Sequence, residues 1–468
     1  MFPNYCRYAK VRLYYRWKGM KRFSYYSGLL ANERRSSQEI HSGQWTKLTS
    51  LLEHAYQTVP YYRRLFEQVG MHPKDVRSTE DFARFPVLTK DAIRRHRDEI
   101  LSQTAAPDSY FLHSTSGSTA QPISFYRGWD YNEYANTAGG YRSFHRAGWR
   151  PGEKLFMVWG PPLERLEWPK TTFGKLRRTL GEWARDTGDL VCSAFDATPE
   201  KMAEWVRTFR HKRPHYIYGY TSALATFGRY LEKEGIRLSN IRGVISTAET
   251  LYPEQRELFQ RVFGGIVIDQ YGSREVCSIA ASCIHGNMHI NSDLVYVEFV
   301  DFPGNPAIKK ILVTDLENRI FPFLRYDIGD IGAPSVTNCC CGLPFPVMQM
   351  KLGRVSDNFL SPEGRIVHGN FFKHLMDNIP GIAEFQFRQV QEDKIVLSLK
   401  QSEKFGPETE EYLKKVHVWV KRDFSERAQL LIQYVDCIPR TEMGKYRYTI
   451  CELDTFTGRL TPEPRIVQ

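Results

Sequence analysis

Past residue 108 the sequence alternates short apolar runs with amphipathic stretches. That alternation limits the folds open to this chain more than any other feature. Leu155–Trp159, Tyr216–Tyr218, Gly243–Ser246 and Ile266–Asp269 are short and rich in β-branched or aromatic side chains, as strands are. Between them, Glu200–Phe209, Ser222–Glu234 and Pro253–Phe263 carry apolar residues at helical spacing. Strands separated by helices predict an α/β domain with a largely parallel sheet. A more antiparallel region follows, with strands expected at Leu294–Asp301 and Lys310–Thr314. From about residue 354 the pattern predicts a small α+β unit. It has strands at Phe385–Gln391, Lys394–Lys400 and Leu430–Val435 and a helix across Pro407–Phe424. The expected organisation is a large domain over residues 1–353 and a small one over 354–468.

Before that alternation the chain reads as helical. Leu48, Leu51, Leu52 and Ala55 share a helical face within residues 43–70. Pro60 interrupts, and Tyr61, Tyr62, Leu65 and Phe66 resume the pattern. Ser78 with Asp81 three residues on predicts a capped short helix, and another helix is expected from Asp91. Residues 1–32 hold seven Lys or Arg and no Asp or Glu, among many aromatic residues. Within the segment 1–42 this predicts either a basic helix packed on the main domain or a peripheral contact with an anionic membrane surface.

Composition excludes several classes. Apolar residues at 42% and charged residues at 25% are those of a globular protein rather than a disordered one. No apolar run approaches the roughly 18 residues of a membrane span, and the first residues do not read as a signal peptide. Nine cysteines, an odd number, make no disulfide scaffold, so a reducing cytoplasmic compartment is expected. The net charge of +11 favours acidic small molecules such as nucleotides or an anionic surface, and the basic first segment points to work near the inner membrane face. With no zinc-finger spacing, heptads or RNA-recognition aromatic motif, no nucleic-acid partner is expected.

Five motifs carry chemistry. In His113-Ser-Thr-Ser-Gly-Ser-Thr119, small hydroxyl residues surround Gly117, and Ser114, Thr115, Ser116, Ser118 and Thr119 supply donors suited to a phosphate. The order is not that of a Walker loop. In Asp269-Gln-Tyr-Gly-Ser-Arg-Glu275 an apolar strand ends at a turn through Gly272 that presents a carboxylate, a hard ligand suited to Mg²⁺; a capped helix start reads equally well. Arg325-Tyr-Asp-Ile-Gly-Asp330 offers an acceptor for ribose hydroxyls after a Gly turn. Gly353-Arg354 sets a cation beside a flexible residue, and Pro439-Arg-Thr-Glu-Met-Gly-Lys445 sets a lysine on a Gly loop.

In this order the five motifs resemble those of the adenylate-forming ligase superfamily, over most of the chain. The stretch His54–Phe85 and the segment FPVLTK are similar to the phenylacetate–CoA ligase-like branch, especially its CapK-like, capsular-polysaccharide-type members. The resemblance implies a large adenylate-forming domain with a mobile C-terminal lid. It implies that Mg·ATP activates a carboxylic acid as an acyl-adenylate, and that CoA or another thiol, amine or alcohol then takes the acyl group. Lys445 would neutralise charge at the α-phosphate, and Glu275 would hold Mg²⁺. Asp330 and Arg354 would bind ribose. Ala248 and Glu249 would line the adenine pocket, with Tyr271 stacking near the base, and Ser114 to Thr119 would hold pyrophosphate. Departures occur at Ala120 and Gln121, where the family usually has Gly and often Lys, and at Ser356, where it commonly has the hinge carboxylate. Two other readings stay open: a nucleotidyltransferase leaving AMP on its acceptor, and a non-catalytic polysaccharide-biosynthesis scaffold. Products separate the first from a ligase.

Trp159, Tyr218, Gly219 and Tyr220, at expected strand ends, suit an aromatic or apolar acid and are equally at home in a core. Cys283, His289, Cys339 and Cys341 have the ligand types of a structural Cys₃His zinc site, with Cys277, His285 and Cys340 as competing ligands. The CxCG pattern also occurs in this branch.

Overall fold

A computed structural model describes residues 2–114, 123–159, 189–194, 197–302, 305–335, 339–354, 358–364, 366–367, 369–376, 379, 381–439 and 447–453. The chain opens with helices α1 (Phe2–Trp17), α2 (Arg22–Asn32), α3 (Ser37–Thr58), α4 (Pro60–Gln68), α5 (Thr79–Ala83) and α6 (Lys90–Ile100). Local chemistry sets their limits. Gly19 at φ 72° breaks α1 from α2, and Pro60 sits in the first turn of α4, where its missing N–H costs nothing. Ser78 and Asp81 form the expected reciprocal cap at α5. The expected helical face buries Leu48, Leu51, Leu52 and Ala55, with Tyr62 and Phe66 of α4 completing the layer.

A hairpin of β1 (Tyr110–Ser114) and β2 (Ser124–Gly128) follows. A helical segment then runs through Trp129–Tyr131, Asn132–Ala138 and Gly139–Arg146. The main sheet has eleven strands: β3 (Leu155–Trp159), β4 (Leu190–Ser193), β5 (Tyr216–Tyr220), β6 (Gly243–Thr247), β7 (Ile266–Gly272), β8 (Ser278–Ser282), β9 (Met288–Ile290), β10 (Val295–Phe302), β11 (Asn305–Asp315), β12 (Tyr326–Pro334) and β13 (Val347–Arg354). Their order is β10-β11-β12-β13-β9-β8-β7-β6-β5-β3-β4.

Strands β4, β3, β5, β6 and β7 are mutually parallel, and every pairing from β7 to β10 is antiparallel. The sheet therefore has the parallel and antiparallel halves expected from sequence. Helices Pro199–Lys212, Thr221–Lys233 and Pro253–Val262 make the crossovers, burying Trp205, Phe209, Leu224, Phe227 and Phe259 against the parallel half. The halves join where β7 meets β8, and within the antiparallel half β9 meets β13 through two residue pairs, Val347 with His289 and Met348 with Met288.

The C-terminal part is α+β, as expected. Strands β14 (Phe359–Leu360) and β15 (Ile366–Val367) pair, and β16 (Ile382–Gln391), β17 (Lys394–Gln401), β18 (Gln429–Tyr434) and β19 (Thr449–Cys451) form a four-stranded sheet. Helix Pro407–Trp419, continued by a wider turn over Val420–Phe424, covers it with Leu413, Val416, Val420 and Phe424. Phe302 and Ile331 of the large sheet share this core.

Candidate active site and metal centre

In the parallel half, Val158 lies opposite Gly219, Gly219 opposite Ser246, and Ser246 opposite Asp269. The carboxyl ends of β3, β5, β6 and β7 thus lie side by side, at the edge where open α/β sheets bind ligands. Gly219 is required there, since a Cβ would sit 2.5 Å from the Val158 carbonyl oxygen. The ends bear Trp159, Tyr218 and Tyr220. Trp159 stacks on Tyr218 at 4.9 Å between ring centroids and lies 4.5 Å from Tyr220.

Strand β7 runs three residues past its expected end, so Tyr271 and Gly272 are strand residues. Gly272 passes the next strand so closely that a Cβ would meet the Cys277 carbonyl oxygen at 2.0 Å. The turn beyond is closed by Ser273 N–H donating to the Cys277 carbonyl at 3.2 Å and Val276 N–H donating to Ser273 Oγ at 3.0 Å. Glu275 is buried in this turn rather than at a helix start, and its Oε1 accepts the Tyr326 hydroxyl at 3.0 Å. Burial, with Glu275 beside it, pushes the Tyr326 hydroxyl far up, which keeps it a donor.

The third motif forms most of β12 rather than a turn. Asp330 is buried on it, and its Oδ2 accepts the Tyr271 hydroxyl at 2.6 Å. In the ladder Asp330 lies opposite Arg354, which brings the second, third and fourth motifs together. The first motif joins them through its start. Arg274 donates to the Ser114 carbonyl at 3.1 Å, and Arg127 on β2 donates to the Arg274 carbonyl. Beside them, burial and then Arg127 and Arg274 push the His113 imidazole down to about 3. Arg127 and Arg274 thus add positive charge beside a buried histidine at the foot of the loop.

Ala248 adopts φ 68°, a left-handed conformation that strains a residue with a side chain. Glu249 follows, but its carboxylate points to the helix behind. It accepts Ser222 N–H at 2.7 Å and Ser222 Oγ–H at 3.0 Å, capping Thr221–Lys233. The Glu249 carboxylate is thus engaged by that helix, beside the strained backbone of Ala248. Thr115, Ser116, Gly117, Ser118, Thr119 and Lys445 lie outside the described residues, as do Ala120, Gln121 and Ser356; Arg354 is described through its backbone.

Three residues of this site went unassigned from sequence. Arg274 and Tyr326 sit inside motifs already singled out, so their polar side chains were the available signal. Arg127 had none, because only the β1–β2 hairpin brings it to the turn.

A second centre lies at the far end of β8 and β9. The ligand atoms of Cys283, His289, Cys339 and Cys341 all fall within 4.8 Å of one another. Cys283 Sγ is 3.6 Å from Cys339 Sγ, and Cys341 Sγ is 3.3 Å from His289 Nε2. A tetrahedral zinc site with ~2.3 Å Zn–S bonds spaces its sulfurs about 3.8 Å apart, so this donor set fits that ion. His289 Nδ1 pairs with the Phe345 carbonyl at 2.8 Å, turning Nε2 toward the sulfurs. Of the competing ligands, Cys277 is buried elsewhere against Tyr131, and neither His285 nor Cys340 joins the group.

Three comparisons bear on this arrangement. The family model of the CapK C-terminal domain matches residues 359–452. Protein CapK of Staphylococcus aureus is 25% identical over 399 residues, 83% of this chain and 84% of that protein. The phenylacetate-coenzyme A ligase of Escherichia coli (strain K12) is 28% identical over 314 residues, 64% of this chain and 68% of that one. Among solved structures, 2-hydroxyisobutyryl-CoA ligase in its postadenylation state superposes with a TM-score of 0.67 at 20% identity, covering 91% of this chain and 92% of that chain. The same enzyme in its thioesterification state gives 0.55. The chain has the fold of the adenylate-forming ligases, and its relatives are CapK and the phenylacetate-CoA ligases.

Proposed function

We propose that this relative of CapK and the phenylacetate-CoA ligases is an AMP-forming ligase. It activates a carboxylic acid with Mg·ATP and passes the acyl group to CoA or to another thiol, amine or alcohol. The observation that carries this reading is the meeting of Tyr271 with Asp330 and of Tyr326 with Glu275 beyond the carboxyl ends of the parallel strands. These pairs each fix one buried carboxylate by a tyrosine hydroxyl, and a nucleotide needs one carboxylate for its ribose and one for its metal-bound phosphates.

In the first step a carboxylate oxygen of the acid bonds to the α-phosphorus of ATP as the bond to pyrophosphate breaks. In the second, the acceptor attacks the acyl carbon, loses its proton, and AMP leaves. Asp330 accepts from the ribose hydroxyls, with Tyr271 fixing its carboxylate. Ala248 presents strained backbone to the adenine edge, and Arg354 completes the ribose contact. Glu275 is the residue that would hold Mg²⁺, which when bound offsets phosphate charge; one buried carboxylate suits an ion that keeps most of its water and phosphate ligands. Lys445 neutralises charge growing on the α-phosphate and acid oxygens. Ser114 and the residues to Thr119 receive pyrophosphate, with Arg127 and Arg274 supplying positive potential at the loop's foot. Trp159, Tyr218, Gly219 and Tyr220 form the acid-side wall, whose stacked rings suit an aromatic or apolar acid.

The domain reading is 1–353 for the large part and 354–468 for a lid that moves Lys445 in and out. The CapK C-terminal match within the second span supports it, as does the higher TM-score to one conformer of the ligase neighbour. Cys283, His289, Cys339 and Cys341 would hold a structural zinc ion, its charge balanced by thiolates; three thiols and one imidazole suit a reducing cytoplasm.

The deciding experiment is pyrophosphate release from Mg·ATP across aryl, short-chain, fatty, amino and sugar acids, with hydroxylamine trapping acyl-adenylate. Release with one acid class, free AMP as product and loss in Lys445→Ala support the ligase. AMP retained on the acceptor identifies a nucleotidyltransferase instead. Silence with every acid, while ATP still binds, rejects the reading in favour of a scaffold.

A further inference from the structure

The N-terminal helices carry a second feature, independent of the ligase site. Helix α1 is anchored by one face. Val11 is buried, Tyr8 and Tyr15 pack on Phe23 of α2 at 5.3 and 6.2 Å, and Arg7 Nε donates to the Gly152 carbonyl at 2.9 Å. Arg22 of α2 is tied down by Glu133 at 2.6 Å and stacks 3.7 Å over Tyr15. This much satisfies the expectation of a packed basic helix.

The opposite face is a different surface. Leu13 and Trp17 stand one turn apart on α1, and Met20 follows in the bend just past its end; the three are 67%, 69% and 41% exposed. Among the described residues, Trp17 and Leu13 are the two most exposed large apolar side chains. Arg12, Arg16, Lys18 and Lys21 flank this stripe and are exposed too, with the Lys18 ammonium 5.0 Å from the Trp17 ring. The first acidic residue of the chain is Glu33, and it is spent on Arg146 at 3.0 Å. Exposed apolar side chains that include a tryptophan, flanked by four exposed cations, match the boundary of an anionic bilayer. There the apolar groups enter the acyl region, and the cations meet the headgroup phosphates. No helix among the described residues is long and apolar enough to cross a membrane, so this corner would lie on a bilayer rather than span it.

We propose that the α1–α2 corner binds the surface of an anionic lipid bilayer through Leu13, Trp17 and Met20, with Arg12, Arg16, Lys18 and Lys21 supplying the charge. Binding needs both parts, since neither three apolar side chains nor four cations holds a protein of this size for long.

The test is co-sedimentation of the full chain with vesicles of phosphatidylglycerol mixed into phosphatidylcholine, against phosphatidylcholine alone. Binding to the anionic vesicles at low salt is expected, weakening at least tenfold in high salt and at least tenfold in Leu13→Ser/Trp17→Ser/Met20→Ser. Arg16→Glu/Lys21→Glu tests the charges and should lose a similar factor. All substituted positions are exposed, and an unchanged thermal midpoint checks that each variant folds. The proposal is overturned by absence of sedimentation with anionic vesicles, by equal binding to neutral ones, or by full binding in the apolar triple variant. It is equally overturned if the wild type self-associates and the triple variant only abolishes that, since the stripe would then face a second copy.

Discussion

The hydroxyl of Tyr271 reaches Oδ2 of Asp330 at 2.6 Å although three strands, β8, β9 and β13, lie between β7 and β12 in the ladder order. The sheet must curl for this bond to form, and the bond locks the curl at the site. Tyr271→Phe removes the donor and frees the carboxylate to swing. A hydrogen bond to a charged group contributes about 1.5–3 kcal/mol, so kcat/KM for ATP should fall by roughly tenfold or more, chiefly through KM. Steady-state pyrophosphate release at varied ATP checks it; unchanged KM refutes the coupling.

Arg274 links the hydroxyl-rich loop to the turn that holds Glu275. Arg274→Met keeps length and apolar bulk and loses the tie. Adenylation should slow by about tenfold to a hundredfold, the scale of a lost charged positioning contact, while the thermal midpoint changes little. Arg274→Lys should recover only part of the rate, because the fork geometry is absent.

The four-ligand centre should carry one zinc per chain when the protein is purified without added metal. Cys341→Ser should lose most of that metal and lower the thermal midpoint by roughly 5 °C or more, as expected when a tightly bound ligand leaves the native state. Metal analysis and thermal denaturation measure both, and a content far below one per chain rejects the site.

Acid sensitivity follows from two histidines. Burial and neighbouring arginines push His113 down to about 3 and His145 down to about 4. Between those values and about 6.5, the unfolded chain binds protons that the folded one refuses. Stability therefore rises with pH across that window and gains nothing further from these groups above it. Asp269 and Asp315, both pushed up to about 7 by burial, act in the opposite sense. The histidine part is isolated by His113→Gln/His145→Gln, which should lower the slope of the urea midpoint against pH between pH 4.5 and 6.5 relative to wild type. An identical slope in the variant would contradict it.

Much of this was legible in the sequence because periodicity and turn chemistry are local. Four of the five parallel strands (β3, β5, β6 and β7, but not β4), their crossover helices and the Ser78–Asp81 cap follow from residues within one element. The thiol–imidazole cluster was legible because such groups have few other reasons to gather on connected loops. Strands β8, β9, β12 and β13 were not legible as strands. The first two are short and buried on both faces, so no alternation marks them. The third looks like a turn because Gly329 takes φ 85° within it. Nor does anything within one element show that the Glu249 carboxylate meets the open end of helix Thr221–Lys233. Arg127 became visible only once two strands paired.

The eleven-stranded sheet is continuous through just two residue pairs between β9 and β13, and one member of that junction, His289, also faces the three thiols. Amide protons on the two sides of this junction should therefore exchange with solvent as separate cooperative groups whenever the four ligands come apart. With the ligands held together, they should exchange as one. The centre would act less as ballast for a loop than as the fastener that makes two half-sheets breathe in step.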